Sequence, residues 1–412
     1  MRTLSAPHRI SPRWWRRTPG RGKSPAISAS IPPDLCYPFL PSFPAMHRFS
    51  HFPLLISLLA LPLSGLSRAQ PATAELVEKE YQASMEKWSL EMRLAETPDA
   101  RAAAMAKRPD PHTSAKRMWA AIGGSMKEEW TLEPASWFLN LASNLIIRKE
   151  DGLPAPAYAE ETKAVRAAVE QHHLRSAKLT PICFALTAGN DPGTLALLEK
   201  ISATNPDKKI QGVASLAIAM VLKNSGDTPE LMARRLSAIK KAIIDSADVE
   251  IGGTSVSRIA ADELYIIRYL TKGRVAPDLQ GVDSAGRALT LSEQKGKIVV
   301  LMFWNSNIAE ANRVVEFANG LQEKYRGKPV VVLGVNNDPL DKLRGFQADG
   351  TVTFTNFSDP ENKLSGEYRI GSWPLIYVLD GERKVSFAGT PGSFVDLAVG
   401  ALLNPEAAIP AK

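Results

Sequence analysis

Cysteine is scarce in this 412-residue chain, which holds two, Cys36 and Cys183. Only Cys183 lies beyond the leader-like N-terminus described below. One thiol closes no internal disulfide, makes no CxxC pair and supplies too few ligands for a zinc site. Histidine is scarce as well: there are six, and none follows Cys183. The last 229 residues therefore contain neither Cys nor His, which excludes a His-based triad or a His/Cys metal centre within them. No cofactor and no metal site is expected.

Excess charge is missing from the body of the protein. The formal net charge is +7, but residues 1–69 hold nine basic residues and one acid, leaving 41 basic against 42 acidic residues beyond them. Such a body cannot hold a polyanion by counterion release, so no nucleic-acid partner is expected. Long apolar runs are also rare. Phe52–Leu66 is one, broken by Pro62, and it falls short of the roughly 20 residues a membrane span needs. With Arg48 before it and Ser67-Arg68-Ala69 after it, the run reads as the apolar region of a secretory signal with cleavage before Gln70. The alternative is an uncleaved short anchor. A cleaved signal implies a periplasm or cell envelope and no stable membrane span afterwards. Residues 1–45, rich in Pro, Arg and Ser, read as disordered or as a start codon placed too early.

What is present falls into two parts. Residues 70–272 carry helix-period patterns and almost no strand pattern. Trp130, Trp137, Phe138 and Leu141 predict an aromatic cluster. Helices recur near 160–171, 194–202, 209–223, 229–245 and 257–271, with Asp191-Pro192 and Thr228-Pro229 as starts. This is a bundle or a degenerate helical-repeat array. Cys183 within Pro181–Leu186 reads as a buried apolar thiol, because no Lys, Arg or His adjoins it to depress its pKa. His172 and His173 point about 100° apart on a helix, so they read as solvated or capping residues and not as a metal half-site.

From residue 274 the pattern changes to α/β. Ile298–Phe303 and Pro329–Val335 are buried-strand runs joined by a helix over 308–325, which predicts a right-handed βαβ unit. A short helix over 339–348, a weak strand over 351–357, a helix over 360–368, a hairpin around Asp380-Gly381 and a helix over 393–403 complete a domain spanning 274–404. Residues 405–412 form a tail.

That order resembles the thioredoxin fold of the TlpA-like and AhpC/TSA-like redoxins of bacterial envelopes. The resemblance rests on APDL at 276–279, GKIVVLMFW at 296–304, GVNNDPLDKLRGF at 334–346 and GSWPLIYVLDGERK at 371–384. More loosely, Asn205–Leu222 is similar to the N-terminal regions of some envelope redoxins. The family implies a thiol-disulfide oxidoreductase or peroxidase, with a WCxxC where the first buried strand meets its helix. Here Ile308 stands at the nucleophilic cysteine position and Ala311 at the resolving one. The remaining neighbours are Trp304, Asn305, Ser306 and Asn307, which with Glu310 read as helix caps, and Trp373-Pro374, where the family places a cis-proline. The expected function is therefore a catalytically degenerate thioredoxin-like protein binding an unknown protein or peptide. Trp304, Ile308 and the cis bond are expected to border a shallow groove. The alternative is an active redoxin enzyme.

Overall fold

The computed structural model describes residues 65–95, 97–149, 152–189, 191, 193–308 and 311–405, all within one compact unit, Leu35–Lys412. The expected N-terminal segment 1–45, the leader up to residue 64, Pro192, Glu310 and nearly all of the tail lie outside the described residues. Residues 65–69 belong to the first helix, α1 (Gly65–Leu94), which continues past Gln70.

The helical part runs through α1, α2 (Pro98–Ala106), α3 (Pro111–Ile122) and α4 (Leu132–Ala142) to a hairpin of β1 (Ile146–Arg148) and β2 (Pro154–Pro156). It continues with α5 (Ala159–Ala168), α6 (Thr180–Ala185), α7 (Gly193–Thr204), α8 (Lys208–Lys223) and α9 (Pro229–Ser246). A second small hairpin, β3 (Glu250–Ile251) and β4 (Thr254–Ser255), leads into α10 (Val256–Tyr269). Caps set several starts. Asp110 accepts from the His112 and Thr113 amides, and Thr228 accepts from Leu231 with Pro229 in the first turn. Asp191 accepts from the Gly193 amide where α7 begins. α8 is buried continuously from Gly212 to Ala219, so it forms the centre of the helical core.

Three details differ from the sequence reading. The two hairpins are absent from it, because strands of two or three residues carry no alternation to detect. The expected aromatic cluster is organised around Phe138, which meets Trp119 at 5.5 Å and Tyr158 at 5.7 Å, while Trp137 packs edge-on against Tyr81. His173 is not solvated. It lies in a π-helical turn, buried, with Nε2 2.8 Å from the Met126 carbonyl oxygen.

The C-terminal part is thioredoxin-like α/β. It comprises β5 (Gln280–Val282), β6 (Ala288–Thr290), β7 (Ile298–Trp304), α11 (Ala311–Lys324), β8 (Val330–Asn336) and α12 (Leu340–Ala348). Then come β9 (Thr355–Ser358), α13 (Lys363–Glu367), β10 (Leu375–Leu379), β11 (Val385–Gly389) and α14 (Ser393–Leu403). Five strands form one sheet in the order β11-β10-β7-β8-β9, parallel across β7, β8 and β9 and antiparallel across β10 and β11. Central β7 is buried along its whole length, as its uninterrupted apolar sequence requires. Val299, Leu301 and Phe303 face one core with Leu279, Phe357 and Tyr368. Val300, Met302 and Trp304 face the other, with Val315 and Leu321 of α11 and Val395 and Val399 of α14.

Candidate functional site

Strand β7 ends at Trp304, and the chain then turns through Asn305, Ser306, Asn307 and Ile308 before α11 opens at Ala311. Among the described residues their bonds run within the turn and to the end of the next strand. The buried Asn305 folds its Oδ1 onto the Asn307 amide at 2.9 Å. The Ser306 amide donates to Asp338 Oδ2 at 2.8 Å, and its hydroxyl donates to Asp338 Oδ1 at 2.6 Å. A single buried carboxylate thus holds the loop by two bonds. Asn336 Nδ2 donates to the same carboxylate at 2.9 Å, and Lys342 Nζ lies 3.6 Å from it. Lys342 also donates to Asn307 Oδ1 at 3.3 Å. Burying Asp338 would be costly without these donors, and they satisfy it.

Sequence reasoning missed Asn336, Asp338 and Lys342. The signal was available in the Asn-Asn-Asp-Pro that follows the second buried strand, since residues leaving parallel strands at their carboxyl ends converge where α/β sheets hold ligands. Asp359, leaving β9, extends this row by accepting from the Leu364 and Ser365 amides. Asn337 donates to Asn362 Oδ1 at 2.7 Å.

The half-buried Ile308 packs on the α11 side of the sheet, and its carbonyl accepts from the Ala311 amide at 3.2 Å. Trp373-Pro374 is cis. Leu375 pairs with Phe303, which sets Pro374 beside the end of β7. In that register Trp304 falls opposite Pro374, but at 1% exposure it borders no surface groove. Trp304 is buried, with its Nε1 donating to Asn356 Oδ1 at 2.8 Å, on the face opposite Trp373. Trp373 instead meets Phe303 edge-on at 6.4 Å on the other face. The alternation of side chains along β7 makes this unavoidable, because residues 303 and 304 must point to opposite sides. A cavity of about 330 Å³ lies away from the loop, among residues such as Asp283, Gln347 and Thr353.

Residues 272–388 match the AhpC/TSA family. The thiol-disulfide oxidoreductase ResA of Geobacillus kaustophilus is 30% identical over 121 residues, which cover 29% of this chain and 70% of that protein. Through its C-terminal third, the chain belongs to the AhpC/TSA family. The ResA protein of Bacillus thuringiensis is 28% identical over 114 residues, 27% of this chain and 66% of that one. Peroxiredoxin Q of Triticum aestivum is 29% identical over 139 residues, 32% of this chain and 64% of its own. A solved thiol-disulfide oxidoreductase from Bacteroides fragilis, 18% identical, covers 32% of this chain and 100% of its own at a TM-score of 0.30.

Within this AhpC/TSA domain no described residue is a cysteine. The free thiol among the described residues is Cys183 in α6, fully buried, with burial pushing its pKa up to about 12.

Proposed function

We propose that the protein is an extracytoplasmic thioredoxin-like binding or scaffold module that performs no dithiol exchange. The observation that carries this reading is the occupancy of the loop after β7, where Ile308 and Ala311 take the positions the family gives to its two cysteines. Exchange requires a thiolate that attacks one sulfur and displaces another. Neither an isoleucine nor the Ser306 hydroxyl, held on Asp338, supplies one. Cys183 offers no substitute, because a sealed thiol with a raised pKa stays protonated at neutral pH.

The partner in this reading is a protein or peptide, and the site neighbours are Asn305, Ser306, Asn307, Ile308, Trp373 and Pro374. The export signal at 46–69 places the body outside the cytoplasm, with a helical domain over 70–272 and the redoxin domain over 274–404. No described helix is long and apolar enough to cross a membrane. Insulin reduction and peroxide consumption by residues 70–412 test the reading. The expected result is no turnover of either, and turnover abolished by Cys183→Ser overturns it. Intact mass of protein recovered from the native envelope is expected to start near Gln70.

A second reading, an active thiol-disulfide oxidoreductase or peroxidase, draws on the names of the ResA and peroxiredoxin Q relatives. It requires turnover in the same two assays.

A further inference from the structure

The hairpin β1–β2 has two edges of opposite character. Ile147 pairs with Ala155, between Ile146 opposite Pro156 and Arg148 opposite Pro154. The Ala157 amide donates to the Leu145 carbonyl at 2.7 Å, and the Lys149 amide donates to the Leu153 carbonyl at 3.0 Å. Bonded and non-bonded pairs alternate along an antiparallel ladder. The pairs 145/157, 147/155 and 149/153 are therefore the bonded ones. At the pairs between them, backbone N–H and C=O groups point away from the partner strand.

On β2 these outward positions are Pro154 and Pro156, which have no N–H to offer, so that edge is closed to a further strand. On β1 they are Ile146 and Arg148, each presenting both a donor and an acceptor. Among the described residues the sheet stops at these two strands, and no backbone group pairs with the outer side of β1. Side chains point the same way. Ile146 is 63% exposed and Ile147 46%, so both faces of the hairpin carry apolar surface in water. Arg148 and Lys149 are exposed and make no ion pair among the described residues. Two strands alone are marginal in water, and a third with apolar contacts makes such a sheet persistent.

We propose that the open edge of β1, with Ile146 and Arg148 presenting their backbone outward, takes up an extended segment of another protein as a third strand, one that sets an apolar side chain beside Ile146 and a carboxylate beside Arg148. A second copy of this chain fits less well. Antiparallel β1–β1 pairing about Ile147 sets each Arg148 against an isoleucine, and a two-residue slip toward the turns brings Arg148 against its own copy. Like charges directly across a ladder are destabilising. The proposal is independent of whether the redoxin domain exchanges thiols.

The test uses the full chain and a short synthetic peptide repeating valine-threonine-glutamate-threonine, which sets valine and glutamate two residues apart on one face as Ile146 and Arg148 are, with residue-resolved amide exchange as the readout. At about 1 mM peptide, the amides of Ile146 and Arg148 are expected to slow about tenfold or more. Ile146→Pro removes the outward donor and leaves the hairpin's own bonds in place. It is expected to weaken peptide binding at least tenfold while the Ile147 amide stays protected. Arg148→Glu is expected to weaken this peptide and to favour the same sequence with lysine in place of glutamate. Unslowed amides, or equal binding by the unmutated chain and both variants, overturn the proposal. So does concentration-dependent protection of these amides without peptide, which would put a second copy on the edge.

Discussion

Cys183 sits in α6 with no exposed surface, and burial raises its thiol from 9.0 to about 12. A group whose folded pKa lies above its unfolded one contributes stability in full below the unfolded value and loses it as pH rises toward the folded one. Stability should therefore fall between about pH 9 and about pH 12. The fall should be shallower in Cys183→Ala than in the unmutated chain, as denaturant titrations across that range would register. At pH 8 the native thiol should resist a disulfide reagent that labels it at once in denaturant. Asp338 gives a second expectation at this scale. Asp338→Ala leaves the Ser306 amide and hydroxyl without their acceptor and Asn336 Nδ2 with only the Trp304 carbonyl. The cost should be about 2–4 kcal/mol in unfolding free energy, above that of an ordinary exposed Asp→Ala. Cys183 could be read as buried from its apolar neighbours. Asp338 could not, since its role depends on Ser306, 32 positions earlier in the chain.

Among the elements, the loop after β7 is where sequence and structure diverge most usefully. The strand runs at 298–304 and 330–336 and the final helix at 393–403 were legible, because uninterrupted apolar strands and a helix of one period leave little choice. The bonds of the turn before α11 were not: Asn305 holds the Asn307 amide, Ser306 is held on Asp338, and Asn307 accepts from Lys342. The depth of Trp304 was not legible either: a strand buried on both sides has no polar face to reveal which residues point where. Position 308 still lies just before α11, its carbonyl bonded to the Ala311 amide. Ile308→Cys combined with Ala311→Cys should form a reversible disulfide and gain weak insulin-reducing activity. The thiol at position 308 should titrate below the ordinary value of about 8.5, because helix amides favour the thiolate. Mass spectrometry after oxidation, with a thiol titration, decides this. A folded double variant that never oxidises would mean that the family cysteines align elsewhere.

For the whole molecule, the joint between the two parts is α10. Ile267 completes the helical core, while Leu270, just beyond the helix, belongs to the core under the sheet, with Tyr265, Ile266 and Tyr269 packed against it. Arg369, three residues after Gly366 and four before Trp373, fastens the joint. Its Nε donates to Asp262 at 2.6 Å, its guanidinium lies 4.1 Å from the Tyr265 ring centre, and its backbone takes a left-handed φ of 51°. Arg369→Ala should lower stability by about 1–2 kcal/mol. It should also separate the unfolding of the two parts, seen as far-ultraviolet dichroism and tryptophan fluorescence ceasing to change together.

The shared helix fixes where the chain can be cut. A fragment starting at residue 274 follows the change in sequence pattern, yet it discards Leu270 and the two tyrosines and bares the apolar surface they cover. A fragment starting at Val256 carries that cover with it, though it brings the orphaned side of Ile267 into water. Of the two, the longer should stay monomeric on a sizing column and the shorter should aggregate, so the smallest portable form of this redoxin includes a helix that its own family pattern does not contain.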